Sequence, residues 1–209
     1  VTLTVVDNNG NTSTCSSTVT VNDNVAPIAI CQNLVIDLDA NGNASITAND
    51  VDNGSSDACG IASLTVSQTD FDCSNVGDNT VTLTVEDVNG NTSSKTATVT
   101  VEDKIAPVIS VNENFTAQLD ATGTAVITAA QINNATTDNC DGAASMTYAL
   151  NKTNFDCSNI GDNVVTLTVT DSKGNTQTKS VTVKVEDKVV PVVQVCLLYT
   201  SPSPRDRQK

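Results

Sequence analysis

Apolar and polar residues alternate over short stretches along most of this chain. Val81, Leu83 and Val85 alternate with Thr82, Thr84 and Glu86, and Ala97, Val99 and Val101 alternate with Thr96, Thr98 and Thr100. A period of two with β-branched side chains predicts strands that bury one face and wet the other. Between these runs, Asp87-Val88-Asn89-Gly90-Asn91 has hairpin-turn chemistry, since Gly reaches positive φ and Asp bonds the backbone ahead of it. Leu34, Ile36 and Leu38 form a further run before the Asp39-Ala40-Asn41-Gly42 turn, with Ala44 and Ile46 after it. No helical period emerges anywhere.

The strand pattern recurs. VTLTVVDNNGNTS from Val1 returns as VTLTVEDVNGNTS from Val81 and VTLTVTDSKGNTQ from Val165, at offsets of 80 and 84 residues. FDCSNVGDN from Phe71 returns as FDCSNIGDN from Phe155, and LDANG from Leu38 as LDATG from Leu119. Self-similarity at a fixed period is the mark of an array. Boundaries before the prolines give the end of one repeat over 1–24, full repeats over 25–104 and 105–188, and the start of another over 189–195. Several short strands with Gly/Asn/Asp turns in each copy predict an all-β fold of tandem Ig-like antiparallel β-sandwiches.

Composition narrows the function. The chain has 24 acidic and 10 basic residues and no His, with a net charge of −14, and its first Lys is Lys95. Phosphate-backbone binding rests on basic side chains, so nucleic acid is excluded as a partner and cations are favoured. No apolar run approaches the roughly 20 residues of a membrane-spanning helix. A Ser or Cys triad needs His, and neither a phosphate-binding Gly-rich loop nor an HExxH motif is present. Paired carboxylates can hydrolyse glycosides, but these acids recur with the repeat in turns, as in a scaffold. The expectation is no enzyme.

The order Pro27, Cys31, Asp57-Ala58-Cys59-Gly60, Phe71-Asp72-Cys73, then VTLTVEDVNGNTSS and VTVED, resembles the hyalin repeat found in tandem in large secreted bacterial proteins. VTLTV-D-x-x-G-N-T is also similar to PKD and other bacterial Ig-like repeats. The resemblance spans residues 1–195 and implies extracellular, adhesion-associated modules without catalysis. It departs where the family would carry a fourth cysteine, at Lys95 and Lys179. Val1 opens inside a repeat without Met or a signal peptide, so secretion is not read directly from this sequence. Residues 196–209, CLLYTSPSPRDRQK, resemble translated sequencing-adapter sequence and are expected to form an unstructured, non-native tail.

Cys59 and Cys73 are matched in the next copy by Cys140 and Cys157. Intervals of 14 and 17 residues suit disulfides Cys59–Cys73 and Cys140–Cys157, each closing a loop worth about 3 kcal/mol. Such bonds imply an oxidising compartment. Zinc is the competing reading, but it wants four clustered ligands at short spacing. Cys15 and Cys31 are expected to stay unpaired. In an Ig-like unit the first and last strands run parallel, which sets Cys31 near position 95.

Calcium is the sharper reading of the acids. Asp37-Leu38-Asp39-Ala40-Asn41-Gly42 matches the opening of an EF-hand loop, but the closing acid is missing and a plain turn is favoured. At the first repeat junction, Asp50, Asp52 and Asp57 are expected beside Asp23. The second junction offers Asp103 and Asp138, with Gln131 and Asn133 in the other two places, so the first is expected to bind calcium more tightly. Asn22-Asp23-Asn24-Val25-Ala26-Pro27 is similar to a cadherin linker. The function expected is a structural or adhesive spacer of a cell-surface protein, with neighbouring repeats of the same chain, surface glycans or proteins as partners. The alternative is a module that grips sugar or protein through loops, with Tyr148 in the longer second copy as its one distinguishing feature.

Overall fold

A computed structural model of the chain describes residues 1–193, and the expected tail over 196–209 lies outside them. The alternating runs form the strands they predict, and by their contacts the described residues group into two units.

The first unit takes in Val1–Pro107, Asp138–Gly142 and Asp171–Asn175. Strands β1 (Thr2–Val6) and β2 (Thr12–Ser16) pair as an exposed hairpin. After them come β3 (Leu34–Asp37), β4 (Asn43–Ser45), β5 (Ile61–Val66), β6 (Asp70–Asp72), β7 (Gly77–Asp87) and β8 (Thr92–Glu102). One sheet has the order β3-β8-β7-β5 and the other pairs β4 with β6. Strand β3 runs parallel to β8, Leu34 opposite Val99, while β7 and β8 form a long antiparallel hairpin. The inward residues Val81, Leu83, Val85, Val99 and Val101 are buried together with Leu38, Ile46, Val51 and Phe71. With so few aromatics, a β-branched and leucine core does the packing.

The second unit comprises Val108–Thr137, Ala143–Thr170 and the described residues from Thr176 on. Its strands are β9 (Thr116–Gln118), β10 (Thr124–Val126), β11 (Thr147–Leu150), β12 (Asn154–Asp156), β13 (Gly161–Thr170) and β14 (Thr176–Glu186). The sheets repeat the plan, β9-β14-β13-β11 and β10-β12, with β9 parallel to β14. Val165, Leu167, Val169, Val183 and Val185 bury against Leu119, Ile127, Ile132 and Phe155. The fold class is all-β, as antiparallel sandwiches of Ig-like type.

Two short helices sit among the strands. Each is one turn, α1 (Ala48–Val51) and α2 (Ala129–Ile132), and each buries its last residue. Thr47 with Asp50, and Thr128 with Gln131, close reciprocal capping boxes. Four residues are too few to show a period.

Leu83 and Leu167 are fully buried at the centres of their cores. Leu167→Ala is therefore expected to destabilise the second unit by about 2–5 kcal/mol, and Leu83→Ala the first by a similar amount. Chemical denaturation of the full chain measures both; a change below 1 kcal/mol, roughly a conservative swap, would contradict this packing.

Candidate cation site and cysteine chemistry

The hairpin turn supplies the first component. Asp171 Oδ1 accepts the Lys173 and Asn175 N–H groups at 2.8 Å each, and Oδ2 accepts Asn175 Nδ2 at 2.7 Å. Asn175 Nδ2 also donates to the Asp103 carbonyl at 3.0 Å. The turn thereby brings its buried carboxylate to Asp103. Asp87 and Asn91 repeat this arrangement, with Asn91 Nδ2 on the Asp23 carbonyl at 3.2 Å.

The DNCDG loop supplies the second. Asp138 Oδ2 accepts the Cys140 and Asp141 N–H groups at 3.0 Å each. Asp103, Asp138 and Asp171 offer carboxylate oxygens that all lie within 4.8 Å of one another. Asp103 and Asp171 are buried. Asp103 Oδ1 accepts from Ile105 N–H and from Asn139 Nδ2, both at 3.1 Å. Its Oδ2 is buried without a hydrogen-bond partner, and so are Asp138 Oδ1 and Asn139 Oδ1. Among the described residues no salt bridge reaches the three acids, and Lys104 is taken by Asp37 and Glu102.

Oxygens within 4.8 Å of one another are no farther apart than about twice a calcium–oxygen bond, so they fit around one cation at about 2.3–2.6 Å. An all-oxygen set suits a hard divalent ion rather than zinc. Without a cation, unit charges about 4 Å apart repel by about 4 kcal/mol at an effective dielectric constant near 20. That exceeds what one turn hydrogen bond returns.

The second cluster is Asp23, Asp57 and Cys59. Asp57 Oδ2 accepts the Cys59 and Gly60 N–H groups at 2.7 and 3.2 Å, the turn seen at Asp138. The Cys59 thiol is pushed up from its usual range by its hydrogen bond to the Asp23 carboxylate and that group's charge, with Asp57 and Asp87 adding to the effect.

Of the expected ligands, Asp23 meets Asp57 and Asp103 meets Asp138, but Asp50 and Asp52 do not join Asp23. Asp50 Oδ2 caps α1, accepting from Thr47 N–H and Oγ1 at 2.7 Å each. Asp52 accepts from the Gly54 and Ser55 N–H groups. Gln131 and Asn133 serve the same local ends, accepting from Thr128 and Thr136. Their neutrality therefore leaves the cluster of Asp103, Asp138 and Asp171 intact, which removes the basis for ranking the first junction above the second. Asp171 was not among the expected ligands, although its D-x-x-G-N turn recurs at Asp7, Asp87 and Asp171.

The EF-hand-like string is a turn. Asp39 Oδ1 accepts from Asn41 and Asn43 N–H, and Asp37 pairs with Lys104. In the matching turn, the Thr122 hydroxyl, helped by the Thr124 and Thr122 N–H groups, pulls the Asp120 carboxyl down to about 2.

The disulfide pairing is also corrected. Cys73 bonds Cys140, at an S–S distance of 2.05 Å and a sequence separation of 67, while Cys59 and Cys157 are free and exposed. Thus neither Cys59–Cys73 nor Cys140–Cys157 forms. The physical reason is local: the Cys73 sulfur sits over Gly42, where Asn139 and Cys140 also arrive. Cys15 and Cys31 are free, and Cys31 Sγ donates to the Thr96 carbonyl at 3.0 Å, beside the strand position expected.

No protein-family model matches the sequence, and no curated protein does. Among solved structures the chain is similar to human protocadherin-24 EC1-2, at 15% identity and a TM-score of 0.45, over 80% of this chain and 100% of that one. It is similar to Drosophila N-cadherin EC1-4 at 13% identity and a TM-score of 0.45, over 79% and 50%. Protocadherin gamma B7 domains 1–4 match at 14% identity and a TM-score of 0.36, over 78% and 51%. The chain spans about half the length of the last two.

Asp23→Asn removes the charge that stabilises the neutral Cys59 thiol, so the thiol should ionise at lower pH. The pH midpoint of Cys59 alkylation, followed by peptide mass spectrometry, is expected to fall. An unchanged midpoint would separate Asp23 from the thiol.

Proposed function

We propose that this chain is a non-catalytic structural and adhesive stretch of an extracellular surface protein, stiffened by calcium bound at Asp103, Asp138, Asn139 and Asp171. The observation that carries the reading is the set of buried, unpartnered oxygens on Asp103, Asp138 and Asn139 beside the Asp171 carboxylate. In each of Asp103 and Asp138, one carboxylate oxygen is tied to backbone N–H groups and the other is left bare. A carboxylate fixed in this way offers its bare oxygen to a hard cation. Asp23 and Asp57 form a sparser counterpart, with Ala58 where the other loop has Asn139.

The repeated sandwiches support a spacer of the hyalin-repeat kind, and the Cys73–Cys140 bond supports an oxidising, extracellular address. A net charge of −14 favours cations over nucleic acid as partners. Neighbouring repeats, surface proteins or glycans are the macromolecular partners that fit a spacer.

Thermal melting of the full chain in EDTA and in millimolar calcium tests the reading. Calcium a hundredfold above its dissociation constant should stabilise the folded state by about 2.7 kcal/mol. The joint change Asp103→Asn and Asp171→Asn is expected to abolish the calcium-dependent shift. Asp50→Asn, outside the cluster, should keep the shift. Equal melting with and without calcium in the unsubstituted chain would overturn the cation site.

A further inference from the structure

We propose that the Cys73–Cys140 disulfide sets the affinity of the cation site. The bond positions Asp138 and Asn139, so reducing it weakens calcium binding, and bound calcium makes the bond harder to reduce. The inference rests on the cation site proposed above.

Bond and site share a single short loop. Asp138, Asn139 and Cys140 are consecutive, and Asp138 Oδ2 accepts the Cys140 N–H at 3.0 Å, which ties the bonded cysteine to the carboxylate. Asp138–Gly142 belongs to the first unit, as do Cys73, Asp103 and Asp171. Asn139 touches both ends of the link. Its carbonyl lies 3.5 Å from the Cys73 sulfur, and its Nδ2 donates to Asp103 Oδ1 at 3.1 Å. Gly42 clears the space for this packing: a Cβ there would come within 2.5 Å of the Cys73 sulfur and 3.0 Å of the Asn139 carbonyl.

The loop brings two of the three buried, unpartnered oxygens of the site, Asp138 Oδ1 and Asn139 Oδ1; the third, Asp103 Oδ2, belongs to a side chain only 6% exposed. Hydrogen bonds also hold the loop, among them Asn139 Nδ2 to the Asp39 carbonyl at 3.4 Å and Ser172 N–H to Asp141 Oδ2 at 2.7 Å. Such bonds are individually weak against the mutual repulsion of three carboxylates. A covalent bond is not. It keeps Asp138 and Asn139 at the site against that repulsion, so calcium meets a prearranged set of ligands. Once the bond is reduced, calcium must order the loop at the expense of its own binding free energy.

Reduction breaks the S–S bond and adds two electrons and two protons, leaving thiols on Cys73 and Cys140. A small dithiol such as dithiothreitol gives up the same two electrons and two protons and closes to its own disulfide. Both cysteines are half-buried, at the margin of the core and within reach of such a reductant. Coupling between two sites is reciprocal. A tenfold loss of calcium affinity on reduction therefore lowers the midpoint potential of the bond by about 30 mV at saturating calcium.

The test uses the full chain with Cys15, Cys31, Cys59, Cys157 and Cys196 all changed to Ser, so that one pair remains. Calcium titration calorimetry of the oxidised and the dithiothreitol-reduced chain should show a dissociation constant about tenfold higher after reduction, within the usual range of coupling. Adding Cys73→Ser and Cys140→Ser should reproduce the weaker binding without any reductant. In dithiothreitol redox buffers, the midpoint of the bond, read by thiol alkylation and peptide mass spectrometry, should fall by about 30 mV between EDTA and saturating calcium. Asp103→Asn with Asp171→Asn should remove that shift. The reduced chain should keep its strand circular dichroism, since its core residues lie outside the loop. Equal calcium affinity before and after reduction would overturn the coupling and leave the cation site standing, whereas an oxidised chain that binds no calcium would overturn both. Loss of the strands on reduction, or a midpoint shift that survives the two Asn changes, would also overturn the positioning role.

Discussion

In each long hairpin a buried aspartate, Asp87 or Asp171, holds its own turn through two backbone N–H groups and an asparagine amide. The same asparagine amide then reaches the carbonyl of Asp23 or Asp103. Hydrogen bonds to a charged acceptor are worth about 1.5–3 kcal/mol each, which makes this a firm knot on a small module. Tightening the turn, ordering the segment before the proline and placing a carboxylate at the acidic cluster are one event. The hairpin from Asp7 makes the same turn but stays exposed.

That knot also separates two kinds of acid. Asp50, Asp72 and Asp156 each take a Thr or Ser hydroxyl and an N–H on one oxygen, and Asp39 takes two N–H groups on one; these bonds hold all four below the usual carboxylate range. Such groups hold loops, and because they are exposed their other oxygen is left to water. Asp103 and Asp138 keep one oxygen bare and buried. In a chain this acidic, the difference lies in the burial of the bare oxygen rather than in charge.

The strands were legible because alternation fixes which face is buried: Val81, Leu83 and Val85 went inward as their period requires. The parallel pairing of first and last strands followed from the fold class. The disulfide partner was not legible. Recurrence shows that both cysteine slots are filled in both copies, and joining slots within a copy or across copies leaves the same sequence. Asp50 and Asp52 misled because proximity to Asp57 along the chain was taken for proximity in space, whereas capping turned them inward on their own loop. Asp171 was missed because its D-x-x-G-N turn explains itself without a ligand; its recurrence beside an Asp-x-x-x-Pro segment was the available signal.

The Cys73–Cys140 bond has a mechanical side. Its sequence separation of 67 residues spans β7, β8, β9, β10 and α2. Fully drawn out, a segment of that length would add roughly 220–240 Å, at about 3.3–3.6 Å per residue. With the sulfurs joined, a pull on the two ends travels through the bond and bypasses that whole segment. Even if the hairpin of β7 and β8 were torn open, the chain could not pay out this slack. A chain built this way is short-reined: it resists tension by topology, and reducing one bond is what would let it lengthen.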